Sequence, residues 1–234
     1  KNFDLKTFPS DYPINTKSLT GCLSLINLIV EDINIKADNS SCEDTINFIN
    51  SKGNVQNLQI KNSFSDALDV DFSNLIFNNI EIFSAKNDCT DFSSGNYKLG
   101  KLNLMNCGDK GLSIGERSFV ELDYIKVENA NIGVAAKDSS ISKINSSNFN
   151  NLKTCLSAYN KKQEYDGAII EINNLDCKNY FKLADIDNLS KISSGNEFLI
   201  NNVYGNLYDP KKLRVSQING KEIYKNYIKD HETI

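Results

Sequence analysis

A repeat with a period of 22 residues runs through the middle of the chain and restricts its fold more than any other feature. Five consecutive segments align at this spacing, and they begin at Ser65, Asn87, Asp109, Asn131 and Lys153. One mostly apolar column of the alignment contains Leu68, Thr90, Leu112, Val134 and Leu156. A second column, two positions later, contains Val70, Phe92, Ile114, Ala136 and Ala158. Alternation with a period of two is typical of a β-strand with one buried face, so each segment predicts a short strand.

A second strand is predicted ahead of each of the first three segments. Its apolar residues also step by 22 positions, and they are Leu58 with Ile60, Ile80 with Ile82, and Leu102 with Leu104. The corresponding pair in the next turn is Ile125 and Val127, one residue out of step.

This period excludes the other common repeat folds. A βαβ unit needs roughly 30 residues, and neither the apolar spacing of helical repeats nor the regular ladder of leucine-rich repeats is present. The sequence therefore predicts an all-β fold, a single-domain right-handed parallel β-helix or solenoid with about 22 residues per turn. Its turns would stack about 4.8 Å apart.

The repeat also sets the expected boundaries. We expect an irregular N-terminal lead-in over residues 1–19, the β-helix over 20–207, and a C-terminal tail or cap over 208–234. The polar segment "NKKQEYDG" at 160–167 breaks the period and predicts a loop insertion that leaves the solenoid.

Charge and hydropathy exclude two classes of partner. The net charge is -4, and a nucleic-acid-binding chain would usually carry a dominant basic patch. No apolar run reaches the roughly 18 residues of a membrane helix, so membrane insertion is not expected.

The six cysteines allow two interpretations. They are Cys22, Cys42, Cys89, Cys107, Cys155 and Cys177, and none belongs to a CxxC pair. Buried free thiols that act as small apolar residues are the commoner fate of cysteine. Disulfides in an exported protein are the alternative.

Carboxylates cluster at outward positions of two adjacent turns, and they are Asp66, Asp69, Asp71, Asp88 and Asp91. Like charges stacked at about 4.8 Å repel by about 1 kcal/mol per pair even in water, so something must offset them. Three offsets stay open: an ion pair with Lys110, hydrogen bonds from turn amides, or Ca²⁺, which takes 6–8 oxygen ligands. Asp69 and Asp71 would also stand about 7 Å apart, a separation compatible with a catalytic pair.

A second constellation combines acidic and basic residues: Asp109, Lys110, Glu116, Arg117 and Lys137. A lyase that acts on uronates needs a cation for the sugar carboxylate and a base near the α-carbon. Lys110 or Lys137 could be that base and Arg117 the carboxylate clamp. The alternative is a network of surface ion pairs, which is common.

Tyrosines near the predicted loop are candidate ligand-binding residues together with Glu116. Tyr159, Tyr165 and Tyr180 could stack on sugar rings or on another protein. They could equally pack the loop against the solenoid, which is the commoner fate of such residues.

Three segments carry a resemblance to a known family. "SDALDVDFSN", "NDCTDFSSG" and "GDKGLSIGERS" resemble rungs of right-handed parallel β-helix repeat domains of bacterial extracytoplasmic proteins, some of them linked to spore-coat-H-type modules. The resemblance covers roughly residues 54–158. It implies an extracellular or cell-envelope location and the binding or cleavage of acidic polysaccharides.

No catalytic set of that superfamily transfers whole. The rung comparable to a hydrolase "GDD" motif carries Asp109 and Lys110, and the single histidine, His231, lies in the tail. Arg117 is the only arginine of the repeat region. We therefore expect a non-catalytic β-helix module that binds carbohydrate or a surface protein along its solenoid face. The alternative is a polysaccharide lyase or hydrolase acting on an acidic glycan, with Ca²⁺ as its cofactor if it needs one.

Overall fold

The computed structural model describes residues 2–6 and 19–199, and no helix occurs within these ranges. The strands are β1 Asn2–Lys6, β2 Gly21–Ile26, β3 Ile29–Asp38, β4 Asp44–Ile49, β5 Lys52–Ser63, β6 Asp66–Asp71, β7 Asn74–Ala85, β8 Thr90–Ser93, β9 Asn96–Cys107, β10 Lys110–Gly115, β11 Phe119–Lys137, β12 Ile141–Tyr159, β13 Ile169–Ile186, β14 Lys191–Ser194 and β15 Glu197–Phe198.

These strands form a parallel β-helix of about eight turns with about 22 residues per turn, as the sequence predicts. The turns from β2 to β10 each contribute one short and one long strand, and in β11, β12 and β13 the two are joined in one continuous strand. Strands pair in parallel with their counterparts in the next turn. The antiparallel β14–β15 pair is the exception among the described strands. We call the outward surface of β2, β4, β6, β8, β10 and the C-terminal parts of β11–β13 the first face. The second face is the outward surface of β5, β7, β9 and the N-terminal parts of β11–β13.

The predicted columns are confirmed residue by residue. Leu68 pairs with Thr90, and the column continues through Leu112 and Val134 to Leu156. The one-residue step is also present, because Leu102 pairs with Ile125 and Leu104 pairs with Val127.

The core consists of these stacked apolar side chains and includes a chain of four aromatic rings from short and long strands. The ring centroids of Phe48 and Phe77 lie 5.7 Å apart, those of Phe77 and Phe92 5.8 Å, and those of Phe92 and Tyr97 4.9 Å. All four rings are fully buried, and the Tyr97 hydroxyl donates to the carbonyl of Ser93 at 2.8 Å.

Two corners of the coil repeatedly use left-handed backbone, and asparagine supplies eight of the sixteen non-glycine residues with this conformation in the described ranges. The corner between the long and the next short strand is occupied by Asn39, Asn62, Ser84, Asn106, Asn129, Asn151 and Asn179. Asparagine tolerates this conformation better than other residues with a Cβ atom. Neighbouring corner side chains also join in a ladder, since Asn151 donates to Asn129 at 2.7 Å and Asn129 to Asn106 at 2.8 Å.

All six cysteines form disulfides, so the free-thiol interpretation is wrong. The bonds are Cys22–Cys42, Cys89–Cys107 and Cys155–Cys177. Their sequence separations of 20, 18 and 22 residues are close to one turn of the solenoid. Each bond therefore closes a covalent ring of about one coil.

The sequence also predicts a lead-in, a loop and a tail outside the regular turns. Strand β1, within the expected lead-in, pairs in parallel with β3. Residues 160–168 connect β12 to β13 without strand structure. The expected tail at 208–234 and His231 lie outside the described residues. Nowhere in the described ranges is there a helix with the length and apolarity that crossing a membrane requires.

Candidate functional site

The first face places three columns of polar residues side by side across adjacent turns. The column at the strand start contains Asp44, Asp66, Asp88 and Lys110. The middle column contains Asn47, Asp69, Asp91 and Ser113. The column at the strand end contains Asp71, Ser93, Gly115 and Lys137. The five aspartates named by the sequence thus lie on one surface, and Asp44 joins them.

In the first column, backbone amides and one ion pair offset the stacked carboxylates. Asp66 accepts from the backbone N–H of Asp88 at 2.9 Å and from the Asn87 amide at 2.7 Å. Asp88 accepts from the backbone N–H of Lys110 at 3.0 Å, and the Lys110 ammonium lies 3.3 Å from the same oxygen. The Lys110 ammonium also contacts the Asp109 carboxylate.

These contacts fix the charge of Lys110. Burial alone would lower the pKa of its ammonium, but Asp88 and Asp109 raise that pKa above its ordinary value. Burial raises the pKa of Asp88 to about 7, against the opposing effect of Lys110. A lysine held in its protonated form is a poor general base, so the arrangement does not favour Lys110 in that role.

Asp69 of the middle column and Asp71 of the column at the strand end form a pair of carboxyl groups in direct contact. Asp69 and Asp71 hydrogen-bond to each other, and the Asn47 amide donates to Asp69 Oδ2 at 2.6 Å. Burial, followed by the negative charges of Asp71, Asp44 and Asp91, raises the pKa of Asp69 to about 9. Burial also raises the pKa of Asp71. The pair therefore shares a proton at neutral pH.

Asp91 lies one turn from this pair and is held by a lysine from two turns further on. The Lys137 ammonium is 3.5 Å from Asp91 Oδ2, and the Lys137 side chain is almost fully buried. It passes over Gly115, where an added Cβ would lie 3.4 Å from Lys137 Cε. The glycine thus gives Lys137 room to reach diagonally across the sheet.

The loop after β12 closes one end of this surface. Glu116 forms an ion pair with Lys162 and accepts a hydrogen bond from Ser93. Burial alone would raise the pKa of Glu116, but these two hydrogen bonds lower it. The Arg117 guanidinium lies 5.3 Å from the centre of the Tyr165 ring. Arg117 and Glu116 therefore contact the loop.

Two residues that the sequence did not single out hold this loop in place. Asp138 Oδ1 accepts from the backbone N–H groups of Lys161 and Lys162, each at 2.7 Å. The Asn160 amide donates to the carbonyls of Lys162 at 2.9 Å and of Tyr165. Asp138 comes directly after the end of β11. An Asp at a corner between two strands often accepts hydrogen bonds from backbone N–H groups, and this signal could have identified Asp138 in the sequence.

The residues proposed for lyase chemistry form two groups. Lys110 begins β10 beside Asp88 and Asp109, whereas Arg117 lies two residues past the other end of this strand. Lys137 lies at the same corner as Arg117, whose backbone N–H donates to the carbonyl of Asp138 at 2.9 Å. Tyr159 is buried against Ala135, so its ring is not an open stacking platform. Tyr165 is half-buried at the loop, and Tyr180 is exposed in β13.

The second face carries two adjoining clefts that the sequence did not predict. They share Asn103 and Lys126. Other lining residues are Lys101 and Tyr124 in one cleft and Lys61 and Phe83 in the other. Outward residues of the long strands look like an ordinary solvated surface in the sequence, which offers no signal for the clefts.

No group of three or more His, Cys, Asp and Glu side chains within the described ranges is arranged to hold a metal ion. The calcium hypothesis therefore stays a prediction. No protein-family model, curated protein or solved structure matches the chain.

Proposed function

We propose that the chain is an exported, non-catalytic β-helix module that binds carbohydrate along its second face. The observation that carries this proposal is the pair of adjoining clefts around Asn103 and Lys126. The lining residues come from successive turns, and the extended surface of a solenoid suits a linear polymer.

The cleft residues offer the contacts that a sugar ring requires. Phe83, which is 48% exposed, and Tyr124 present aromatic surface for the apolar C–H groups of a sugar. The Asn103 amide can donate to and accept from sugar hydroxyls. Lys61 and Lys101 form no ion pair within the described ranges, so their ammonium groups can bind a uronate carboxylate.

Export is supported by the three disulfides. Disulfides persist in oxidising compartments and are rare in the cytosol. All six cysteines are paired, which supports an extracellular or cell-envelope location.

Calorimetry with neutral and uronate-containing oligosaccharides tests the glycan proposal. We expect Asn103→Ala and Tyr124→Ala to weaken binding by tenfold or more, as removal of contacts worth about 1.4 kcal/mol would. Asn148→Ala is the matched control, because Asn148 follows Asn103 and Lys126 in the same column and lies outside both clefts. Equal loss in all three variants, or no binding of any glycan by the wild type, would contradict the proposal.

A second candidate, hydrolysis of an acidic glycan, is favoured by the protonated Asp69–Asp71 pair beside Asp91. A carboxyl group with a raised pKa can act as a general acid. The direct contact between Asp69 and Asp71 argues against it, since an inverting pair stands about 6.5–9.5 Å apart to admit a water molecule. Release of reducing ends from a uronate polymer, abolished by Asp69→Asn, would establish this alternative.

A further inference from the structure

Three of four consecutive residues in the middle column of the first face have a buried side-chain oxygen without a hydrogen-bond partner. The column contains Asn47, Asp69, Asp91 and Ser113, and the three oxygens are Asn47 Oδ1, Asp91 Oδ1 and Ser113 Oγ. Within the described ranges, the other such atoms are one each on Asn54 and Asp138. Buried polar oxygens are normally paired with a donor, a water molecule or an ion, so their concentration here points to a bound ligand.

Ser113 is one of the two uncharged residues in this pattern. It alternates with Leu112 and Ile114, which fill the core, so its side chain stands on the outward face beside its register partner Asp91. Ser113 is nevertheless 0% exposed. A buried hydroxyl next to a buried carboxylate oxygen, both unpaired, provides two ligands for a cation.

The charge of the same surface also favours a cation. Asp69 and Asp71 touch each other, and Asp91 follows on the next turn. Lys137 lies near Asp91 Oδ2, and Asp91 Oδ1 has no hydrogen-bond partner. The basic groups near this column therefore do not neutralise all three carboxylates.

We propose that the first face binds one hard divalent cation through Asp69, Asp71, Asp91 and Ser113. Three carboxylates with a hydroxyl and water molecules supply the 6–8 oxygen ligands that Ca²⁺ takes. The acidic residues do not form a ready-made cage, so the ion replaces the contact between Asp69 and Asp71. Asn47 remains the hydrogen-bond donor of Asp69.

Calorimetric titration of Ca²⁺ into the chelator-treated full chain tests this site. We expect one ion per chain, and binding weakened tenfold or more by Asp69→Asn and by Asp91→Asn. Ser113→Ala should also weaken binding, and it does so without a change of charge. Asp123→Asn is the control, because Asp123 is exposed on the second face and its loss alters net charge equally.

Unfolding midpoints and circular dichroism of the metal-free variants establish that each one folds. Absence of Ca²⁺ binding by the folded wild type would overturn the proposal. So would unchanged affinity in Asp69→Asn and Asp91→Asn, or an equal loss in Asp123→Asn, which would indicate attraction by net charge alone. The site lies on the first face, so its failure leaves the glycan proposal for the second face unaffected.

Discussion

Lys110 contacts Asp88 of the preceding turn with both its backbone and its side chain. The backbone N–H donates to Asp88 Oδ1 at 3.0 Å, and the ammonium lies 3.3 Å from the same oxygen. Both side chains are buried, with exposures of 10% for Lys110 and 5% for Asp88. A single lysine thus ends a column of three stacked aspartates.

Replacement of Lys110 by methionine should destabilise the protein. It leaves Asp88 buried without its counter-charge, and breaking a buried pair costs about 3–5 kcal/mol when the remaining charge cannot adjust. Asp88 can take up a proton, which reduces this cost. We therefore expect the free energy of unfolding to fall by about 3 kcal/mol at pH 8 and by less at pH 5. Urea unfolding at the two pH values measures this difference.

The double variant Lys110→Met/Asp88→Asn is the control for that experiment. It removes both charges, and we expect it to recover most of the lost stability at pH 8. A double variant as unstable as Lys110→Met would show that lost packing of the lysine stem, and not the uncompensated buried charge of Asp88, causes the effect.

Stability should fall as pH rises from about 4 to 9 in chelator-treated buffer. Burial raises the pKa of Asp44 and of Asp88 to about 7 and, with neighbouring carboxylates, that of Asp69 to about 9, from an unfolded value of 3.8. Each group therefore binds its proton more tightly in the folded chain. Its contribution to stability is complete below pH 3.8 and disappears as pH passes through the folded-state pKa.

Asp69→Asn isolates one part of this pH dependence. The amide keeps the shape of the carboxylic acid and cannot ionise, so the unfolding free energy of the variant should decline less between pH 7 and 9. Asp123→Asn, exposed on the second face, should follow the wild type. A wild-type stability that is flat or rising over this range would contradict the expectation.

The solenoid was predictable because its register depends on a regular spacing. The column of Leu68, Thr90 and Leu112 shows this. These residues are evenly spaced in the sequence and lie on the same side of their strands, so the spacing alone aligns them. Even the irregular step to Ile125 is visible as a displaced apolar residue.

The contacts across columns could not be predicted in this way. Lys137 reaches Asp91 across two turns and over Gly115, and a column alignment pairs residues only within a column. Cys155 and Cys177 differ by 22 residues, yet the longer loop between β12 and β13 puts Cys177 in register with Phe149. The register of Cys177 therefore depended on the length of the insertion.

Phe72→Asn should stabilise the protein. Phe72 occupies a corner with φ of 50° and is 62% exposed, whereas the equivalent corners hold Asn27, Asn50 and Ser94. The left-handed conformation costs a residue with a Cβ atom roughly 1–2 kcal/mol, and this cost is lower for asparagine than for phenylalanine. We expect a gain of about 0.5–1 kcal/mol in urea unfolding. Phe72→Ala, which removes the ring and keeps the unfavourable backbone, should show a smaller gain than Phe72→Asn.

Removal of the Cys89–Cys107 bond should cost about 3 kcal/mol, the chain-entropy value for a loop of this size. The bond closes a ring with a sequence separation of 18 residues, and both cysteines are buried, so Cys89→Ala/Cys107→Ala keeps the site apolar. Urea unfolding of this variant against the wild type gives the cost. Cys22→Ala/Cys42→Ala is the comparison, because its ring has a similar separation of 20 residues while Cys22 is exposed near the first turns.

Thiol titration of the wild type in denaturant without reductant should find no free thiol, and reactive thiols there would contradict the three-disulfide structure.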